Sequence, residues 1–279
     1  MPANQRPPSA GGVTGWSPSA GPGLESVTEL LHEGELAVVG RLPWSSNLTF
    51  LVTVGDVADA GDGDEGRDGD PAAVAAGDVD PPGLLHGVYK PATGEQSLWD
   101  FPDGLYRREV AAYALAEALG WGLVPPTVER HDGPFGSGSL QLFVAADYEQ
   151  HYFTLFEEGD HVEALQTMCV FDIVANNADR KSGHVLLGDG GRLWAIDHGL
   201  CFHRQPKLRT VIWDFADEPI ADHLLHDLEA LSADIPDELG RLLDDDERSA
   251  MLDRIARLVH TGTFPEPLGD RPPYPWPLV

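Results

Sequence analysis

The sequence has few cations, and lysine is the scarcest of them, with three among 279 residues. Lysine and arginine together number 18 against 46 aspartates and glutamates, so the formal net charge is −28. Nucleic acids and anionic bilayers attract basic surfaces, so this balance argues against both as partners. Because cations are so few, their positions carry information, and Lys90 and Lys181 both fall in segments that stand out for other reasons.

Cysteines and long apolar runs are also scarce. Cys169 and Cys201, the two cysteines of the sequence, give neither a disulfide framework nor a zinc-binding spacing, and their apolar surroundings predict buried thiols. No apolar run reaches the ~18 residues of a membrane-spanning helix, and the first residues lack the apolar stretch of a secretory signal. We therefore expect a cytoplasmic monomer without stable membrane insertion.

Low-complexity stretches divide the chain. Residues 1–24 are rich in Pro, Gly and Ser and predict a disordered tail. Residues 56–82 spread acidic side chains among Gly, Ala and Pro and predict a disordered acidic insertion. We expect that insertion to interrupt a sheet-rich N-terminal part, residues 25–146. A helical C-terminal part would follow at 147–263, and then a Pro-rich tail, extended over the surface or loose, at 264–279.

The most informative stretch runs from Val170 to Phe202. Within it, a Gly-Asp-Gly-Gly turn between two short β-forming segments predicts a hairpin. Because the outer ends of a hairpin lie side by side, we expect the loop Asp179–His184 to meet Asp197. Two acidic groups, an amide and an imidazole would then converge. That set suits a divalent metal with a polyphosphate, because Mg²⁺ takes one or two carboxylates and leaves other positions to phosphates.

Three further segments carry candidate polar groups. A strand ends at Lys90, and a helix from about Tyr106 to Leu119 carries Glu109 in its first turn. Glu109 either favours the helix dipole or pairs with Lys90 and aims its ammonium at a ligand. The loop Gly40–Asn47 is either a plain turn or a phosphate-covering loop, although it lacks a repeated-glycine fingerprint. Its polar candidates are Ser45, Ser46 and Asn47.

Taken in their order along the chain, these candidate segments resemble those of the atypical, lipid-kinase-like branch of the protein-kinase fold. The sequence is similar to bacterial members named after phosphatidylinositol 3- and 4-kinases, and more distantly to HipA-type and secretory-pathway kinases. The similarity covers roughly residues 36–259 and is most specific at Asn177-Ala178-Asp179-Arg180 and Ala195-Ile196-Asp197-His198-Gly199. It implies an α+β, protein-kinase-like bilobal fold with a small antiparallel sheet lobe plus a larger helical lobe.

The resemblance also implies an activity and its cofactors. ATP and Mg²⁺, with Mn²⁺ as the alternative metal, would serve transfer of the γ-phosphate to a hydroxyl of an unidentified soluble protein or small molecule. Lys90 would neutralise nucleotide phosphates and Glu109 would hold that lysine. Asp179 and Arg180 would be catalytic, and Asp197 would bind the metal. Nucleotide contacts would come from Ser45, Ser46 and Asn47 over the phosphates, and from Gln141 and Phe143 in the adenine-packing segment Gln141–Ala145.

One position departs from the family's pattern. His184 stands where such kinases often carry an asparagine metal ligand, and Mg²⁺ prefers oxygen to imidazole. Four explanations stay open: His184 binds metal, with Mn²⁺ serving; Asn176 or Asn177 supplies the amide; one metal suffices; or the enzyme is weak.

Because His184 departs from the family's pattern, other functions remain alternatives. A nucleotide-binding pseudokinase and an AMP transferase on the same fold are the alternatives within the family's architecture. A metal hydrolase using His184, Asp197, His198 and His203 is the weakest alternative, because a metal-binding histidine pair on one helix face is absent from the sequence.

Overall fold

The computed structural model describes residues 15–17, 22–42, 47–55, 85–267 and 273–278. The predicted acidic insertion and the candidate phosphate-loop serines Ser45 and Ser46 lie outside the described residues.

A five-stranded antiparallel sheet with strand order β1-β2-β3-β5-β4 forms the first half of the molecule. Its strands are β1 (Glu35–Arg41), β2 (Phe50–Gly55), β3 (Leu85–Pro91), β4 (Thr127–Gly133) and β5 (Gly136–Leu142). Helices α1 (Leu24–Glu33) and α2 (Leu105–Ala118) contact β4 and β5.

The start of α2 is fixed by a side chain from the preceding loop. The Glu95 carboxylate accepts hydrogen bonds from the backbone N–H groups of Gly104 and Tyr106, at 3.0 and 2.7 Å. A carboxylate at this end also complements the helix dipole. Glu95 therefore sets the register that places Glu109 on the buried side of the helix.

The second half is helical, with one small sheet. Its helices are α3 (Tyr152–Glu158), α4 (Val162–Ala175), α5 (Asp222–Ala233), α6 (Asp237–Leu242) and α7 (Asp245–Thr261). The sheet joins β6 (Ala146–Asp147), β7 (Val185–Gly188) and β8 (Leu193–Ala195) in antiparallel order. The predicted hairpin is confirmed as β7 and β8, and so is the α+β, kinase-like fold class with a sheet lobe and a larger helical lobe.

Two large hydrophobic clusters stabilise the two halves, in addition to a third cluster of three buried residues. The smaller contains Tyr89 of β3 and Leu140 of β5, while the larger lies among the helices around Phe171 of α4. Cys169 and Cys201 belong to the larger cluster, and burial raises the pKa of both thiols, as their predicted burial implies. No helix among the described residues is both long and apolar enough to cross a membrane.

The structure describes one short segment near each end of the chain. Within the predicted N-terminal tail, the Trp16 side chain is buried in the smaller cluster. The C-terminal residues 273–278 accept backbone hydrogen bonds from two segments of the helical lobe. The N–H of Ser182 donates to the Leu278 carbonyl at 2.9 Å, and that of Thr210 to the Pro273 carbonyl at 3.0 Å.

Candidate active site

A lysine held between two carboxylates marks the site. The Lys90 ammonium, at the end of β3, donates to Glu109 of α2 and to Oδ1 of Asp197 at 2.8 Å. The second carboxylate oxygen of Glu109 accepts the backbone N–H of His198 at 2.8 Å. Lys90, Glu109 and Asp197 thus come together from a strand, a helix and the segment after β8, as the sequence predicted.

The charges of this triad reinforce one another. Burial lowers the pKa of Lys90, but Asp197 and Glu109 together outweigh it, so the net shift is upward. The Lys90 charge in turn holds the pKa of Asp197 far below its usual range, against the effect of burial. Both groups are therefore ionised at neutral pH, and 45% of the Asp197 side chain remains exposed.

Asp179 occupies the loop after α4. Its backbone N–H donates to Asn177 Oδ1, and its carboxylate pairs with Lys181, both at 3.0 Å. Burial, aided by the charge of Asp197, raises the pKa of Asp179, while Lys181 opposes the shift. A quarter of the side chain is exposed, so the carboxylate combines access with increased basicity.

Arg180 lies beneath the site with its side chain fully buried. Its guanidinium makes a double hydrogen bond to Asp172, with Nε and Nη2 each 2.9 Å from a carboxylate oxygen. It also donates to the carbonyls of His184 and Ile196, at 3.2 and 2.9 Å. The predicted catalytic role is revised accordingly, because a fully buried guanidinium reaches no substrate. Arg180 is placed to position both ends of the β7–β8 hairpin.

Asp172, the partner of Arg180, is the residue that sequence reasoning missed. It is fully buried on α4, and its carboxylate also accepts from the Asn177 amide at 3.0 Å. The available signal was one acidic residue in the otherwise apolar run Met168–Ala175.

Two of the predicted metal ligands, His184 and Asn177, have different surroundings. His184 Nε2 lies 3.3 Å from Asp197 Oδ2, and burial lowers the pKa of His184 to about 4, although Asp197 opposes the shift. Its ring is therefore neutral at physiological pH. Asn177 is fully buried, and both ends of its amide bond within the loop, to Asp172 and Asp179. Its amide oxygen caps the backbone at Asp179, and the assignment of Asn177 as a metal ligand stays a prediction.

Three of the predicted nucleotide contacts, Gln141, Phe143 and Asn47, lie among the described residues. Gln141 sits on β5, where its amide donates to Thr127 at 2.8 Å. Phe143 directly follows β5, and its N–H donates to the His86 carbonyl at 2.9 Å. Asn47 accepts the N–H of Gln96 at 3.0 Å, which ties its loop to the segment before α2. The side chains of Gln141 and Asn47 therefore bond to neighbouring protein groups.

The donor set fits one kind of metal. Among the described residues, no group of three or more His, Cys, Asp or Glu side chains is disposed to hold an ion. Asp197 and Asp179 offer two carboxylates, close enough for the charge of one to raise the pKa of the other. Such a set fits Mg²⁺ shared with nucleotide phosphates and does not fit a closed zinc site.

Comparisons with known proteins agree with this architecture. The family model described as phosphatidylinositol 3- and 4-kinase matches residues 105–229. Protein Rv2133c of Mycobacterium tuberculosis (strain ATCC 25618 / H37Rv) is 36% identical over 89% of this chain and 94% of its own length. Phosphatidylinositol 4-kinase gamma 4 of Oryza sativa subsp. japonica is 31% identical over 46% of this chain, which spans only 26% of that relative. A solved structure of hydra Fam20 with sugar aligns with a TM-score of 0.47 at 12% identity, over 85% of this chain and 88% of its own.

Proposed function

Because the chain belongs to the family of Protein Rv2133c and of the atypical phosphatidylinositol 3- and 4-kinase-like kinases, we propose that it is an ATP- and Mg²⁺-dependent phosphotransferase. It transfers the γ-phosphate to a hydroxyl of a soluble protein or small molecule. The observation that carries the proposal is the Lys90 ammonium held between Glu109 and Asp197. Asp179 lies close enough to Asp197 for the charge of Asp197 to raise its pKa.

The triad supplies the charges that phosphoryl transfer needs. Lys90, held by Glu109, provides a fixed positive charge for the nucleotide phosphates. The half-exposed carboxylate of Asp197 would hold Mg²⁺ together with phosphate oxygens of the nucleotide. When bound there, Mg²⁺ would neutralise charge on the phosphate oxygens.

Asp179 is the group that would receive the proton of the acceptor hydroxyl. A carboxylate with a raised pKa accepts a proton more readily than an ordinary one, and that of Asp179 is raised chiefly by burial. Arg180 and Asp172 act as positioning residues, since they fix the loop that carries Asp179 and the strand that leads to Asp197.

The acceptor is proposed to be soluble for an electrostatic reason. The net charge of −28 repels an anionic bilayer. We therefore keep a protein or a small molecule as the substrate class, and a cytoplasmic location stays a prediction.

A nucleotide-binding pseudokinase is the second candidate. The observation favouring it is His184, whose neutral imidazole lies 3.3 Å from Asp197 where an oxygen ligand would suit Mg²⁺ better. Such a protein would bind ATP but transfer no phosphate.

One experiment tests both candidates. ATP affinity is measured by calorimetry with Mg²⁺, with Mn²⁺ and with neither, and γ-phosphate release or autophosphorylation is followed in the same samples. We expect metal-dependent binding with transfer, loss of transfer but not of binding in Asp179→Ala, and loss of metal-dependent binding in Asp197→Ala. Asp189→Ala, in the exposed turn of the same hairpin, is the control and should behave like the parent. Binding without transfer would favour the pseudokinase, and absence of ATP binding would refute both.

A further inference from the structure

The short segment Gly15–Ser17 lies alongside residues 143–145, which connect β5 of the sheet lobe to β6 of the helical lobe. The N–H of Trp16 donates to the Phe143 carbonyl at 2.8 Å, and the N–H of Ala145 donates to the Trp16 carbonyl at 3.0 Å. This is a one-residue parallel β-bridge between Trp16 and Val144. The start of the described chain is therefore paired with the connection between the lobes.

The approach is so close that only glycine fits next to Trp16. A Cβ atom built on Gly15 would lie 2.3 Å from the backbone nitrogen of Ala145 and 2.4 Å from the carbonyl carbon of Val144. Those neighbours are backbone atoms, which cannot rotate away as a flexible side chain can. Any larger residue at this position must displace the segment or the connection.

The Trp16 ring joins this pairing to the helical lobe. It meets the ring of Trp194 edge to face, with centroids 6.4 Å apart, and only 7% of Trp16 is exposed. Trp194 lies on β8, three residues before Asp197. The other ring contact of Trp194 is with the Arg192 guanidinium, 3.9 Å from the ring centroid.

The segment is also tied to the sheet lobe through α1, which follows it in sequence. Arg130 of β4 donates to the carbonyls of Leu31 and Gly34 at 2.8 and 3.0 Å, at the end of that helix. Residues on either side of the inter-lobe connection are thus bridged by one stretch of chain.

From these contacts we infer that Trp16 is a positioning residue of the nucleotide site and that Gly15–Ser17 braces the inter-lobe connection in the orientation that binds adenine. The inference rests on the proposed function and on the family resemblance, which implies that adenine packs against Gln141–Ala145. Trp16 takes up the Phe143 carbonyl and the Ala145 N–H, and the Phe143 N–H donates to the His86 carbonyl of β3 at 2.9 Å. The segment therefore pairs with the edge of the connection that faces β3, the strand that carries Lys90.

The test compares two glycine substitutions in the same part of the chain. Gly15→Ala forces the segment off the connection, whereas Gly23→Ala is the control, because a Cβ at Gly23 meets no atom within 4 Å. We expect Gly15→Ala to weaken ATP binding about tenfold by calorimetry, an effect of the size that two lost backbone hydrogen bonds can produce. KM for ATP should rise while kcat changes little, because the Lys90 triad is untouched. The Ala145 amide, freed from Trp16, should exchange its hydrogen faster than in the control.

A second pair of variants covers the case in which Gly15→Ala does not fold. Trp16→Ala removes the contact with Trp194 and should weaken ATP binding, whereas Trp16→Phe keeps an aromatic edge and should restore most of the affinity. Unfolding midpoints are recorded for all variants. If Gly15→Ala or Trp16→Ala protein is folded and binds ATP as tightly as Gly23→Ala, the bracing role of Gly15–Ser17 is refuted. The proposed function is not affected by that result. A parent protein that binds no ATP would instead refute the proposed function and, with it, the nucleotide role of Trp16.

Discussion

Replacing Asp172, which is 0% exposed, with asparagine should destabilise the protein strongly. The substitution removes the charge that balances the fully buried Arg180. Asparagine keeps one carbonyl oxygen, so part of the hydrogen bonding survives while the buried positive charge loses its partner. The shape of the side chain is nearly unchanged, which separates the loss of charge from the creation of a cavity.

The size of the effect follows from burial. Breaking a buried ion pair by removing one partner costs about 3–5 kcal/mol, because the remaining charge is desolvated without compensation. We expect about 3 kcal/mol for Asp172→Asn, the lower end of that range, because one oxygen remains. A domain is stable by about 5–15 kcal/mol, so the variant should still fold.

Unfolding in urea is monitored by tryptophan fluorescence and by circular dichroism. The transitions recorded by the two probes should coincide if unfolding is two-state. The control is Asp245→Asn. Asp245 also pairs with an arginine, Arg248, at 2.6 Å, but its side chain is 93% exposed. Removing this exposed charge at the start of α7 should cost less than about 1 kcal/mol. Equal losses in the two variants would refute the assignment of Arg180 and Asp172 as a buried structural pair.

A double variant separates stability from positioning. Asp172→Leu with Arg180→Met removes both charges and should recover most of the stability that Asp172→Asn loses. It should not recover phosphate transfer, because Arg180 no longer bonds the carbonyls of His184 and Ile196. Full transfer by the double variant would show that Arg180 does not position the two loops.

Three further predictions address the chemistry. Glu109→Gln removes one of the two charges that hold Lys90 and should raise KM for ATP more than it lowers kcat, by steady-state kinetics. Transfer should fall with decreasing pH as Asp179 becomes protonated. Because Lys181 lowers the pKa of Asp179, Lys181→Met should move this acid limb of the pH–rate profile to higher pH, and an unmoved limb would argue against Asp179 as the base. His184→Asn supplies an amide oxygen and should lower the Mg²⁺ concentration at half-maximal rate relative to Mn²⁺, by metal titration.

The triad was predictable because each member sits at a point that local sequence marks. Lys90 lies near the end of a β-forming run, Glu109 directly follows the first turn of a helix, and Asp197 follows the second strand of a hairpin. Their order then matched a known arrangement of parts. The Lys90–Asp197 contact of 2.8 Å itself spans 107 residues, and only the resemblance linked the two ends.

The roles of Asp172 and Trp16 could not be predicted from the sequence, because both roles depend on tertiary contacts. On α4, Asp172 reads as a polar interruption of an apolar run until Arg180, eight residues on, folds back to it. Trp16 stands in a Pro/Gly/Ser-rich stretch that cannot bury itself, and it is ordered by Trp194 and by the backbone of residues 143 and 145.

The hydrogen bonds of Asn176 and Asn177 have a physical reason that bears on the candidate metal ligands. A loop that turns sharply after a helix leaves backbone groups to satisfy, and asparagine is the side chain that does this best. Asn176 adopts a left-handed conformation at the end of α4 and accepts the Lys207 N–H at 2.9 Å, while Asn177 accepts the Asp179 N–H. Both amide oxygens accept hydrogen bonds within the loop, so under the proposed function a metal on Asp197 would be completed by phosphate oxygens alone or by His184 as well. Full activity with Mg²⁺ would favour phosphate oxygens, because magnesium selects oxygen, whereas activity with Mn²⁺ alone would favour His184.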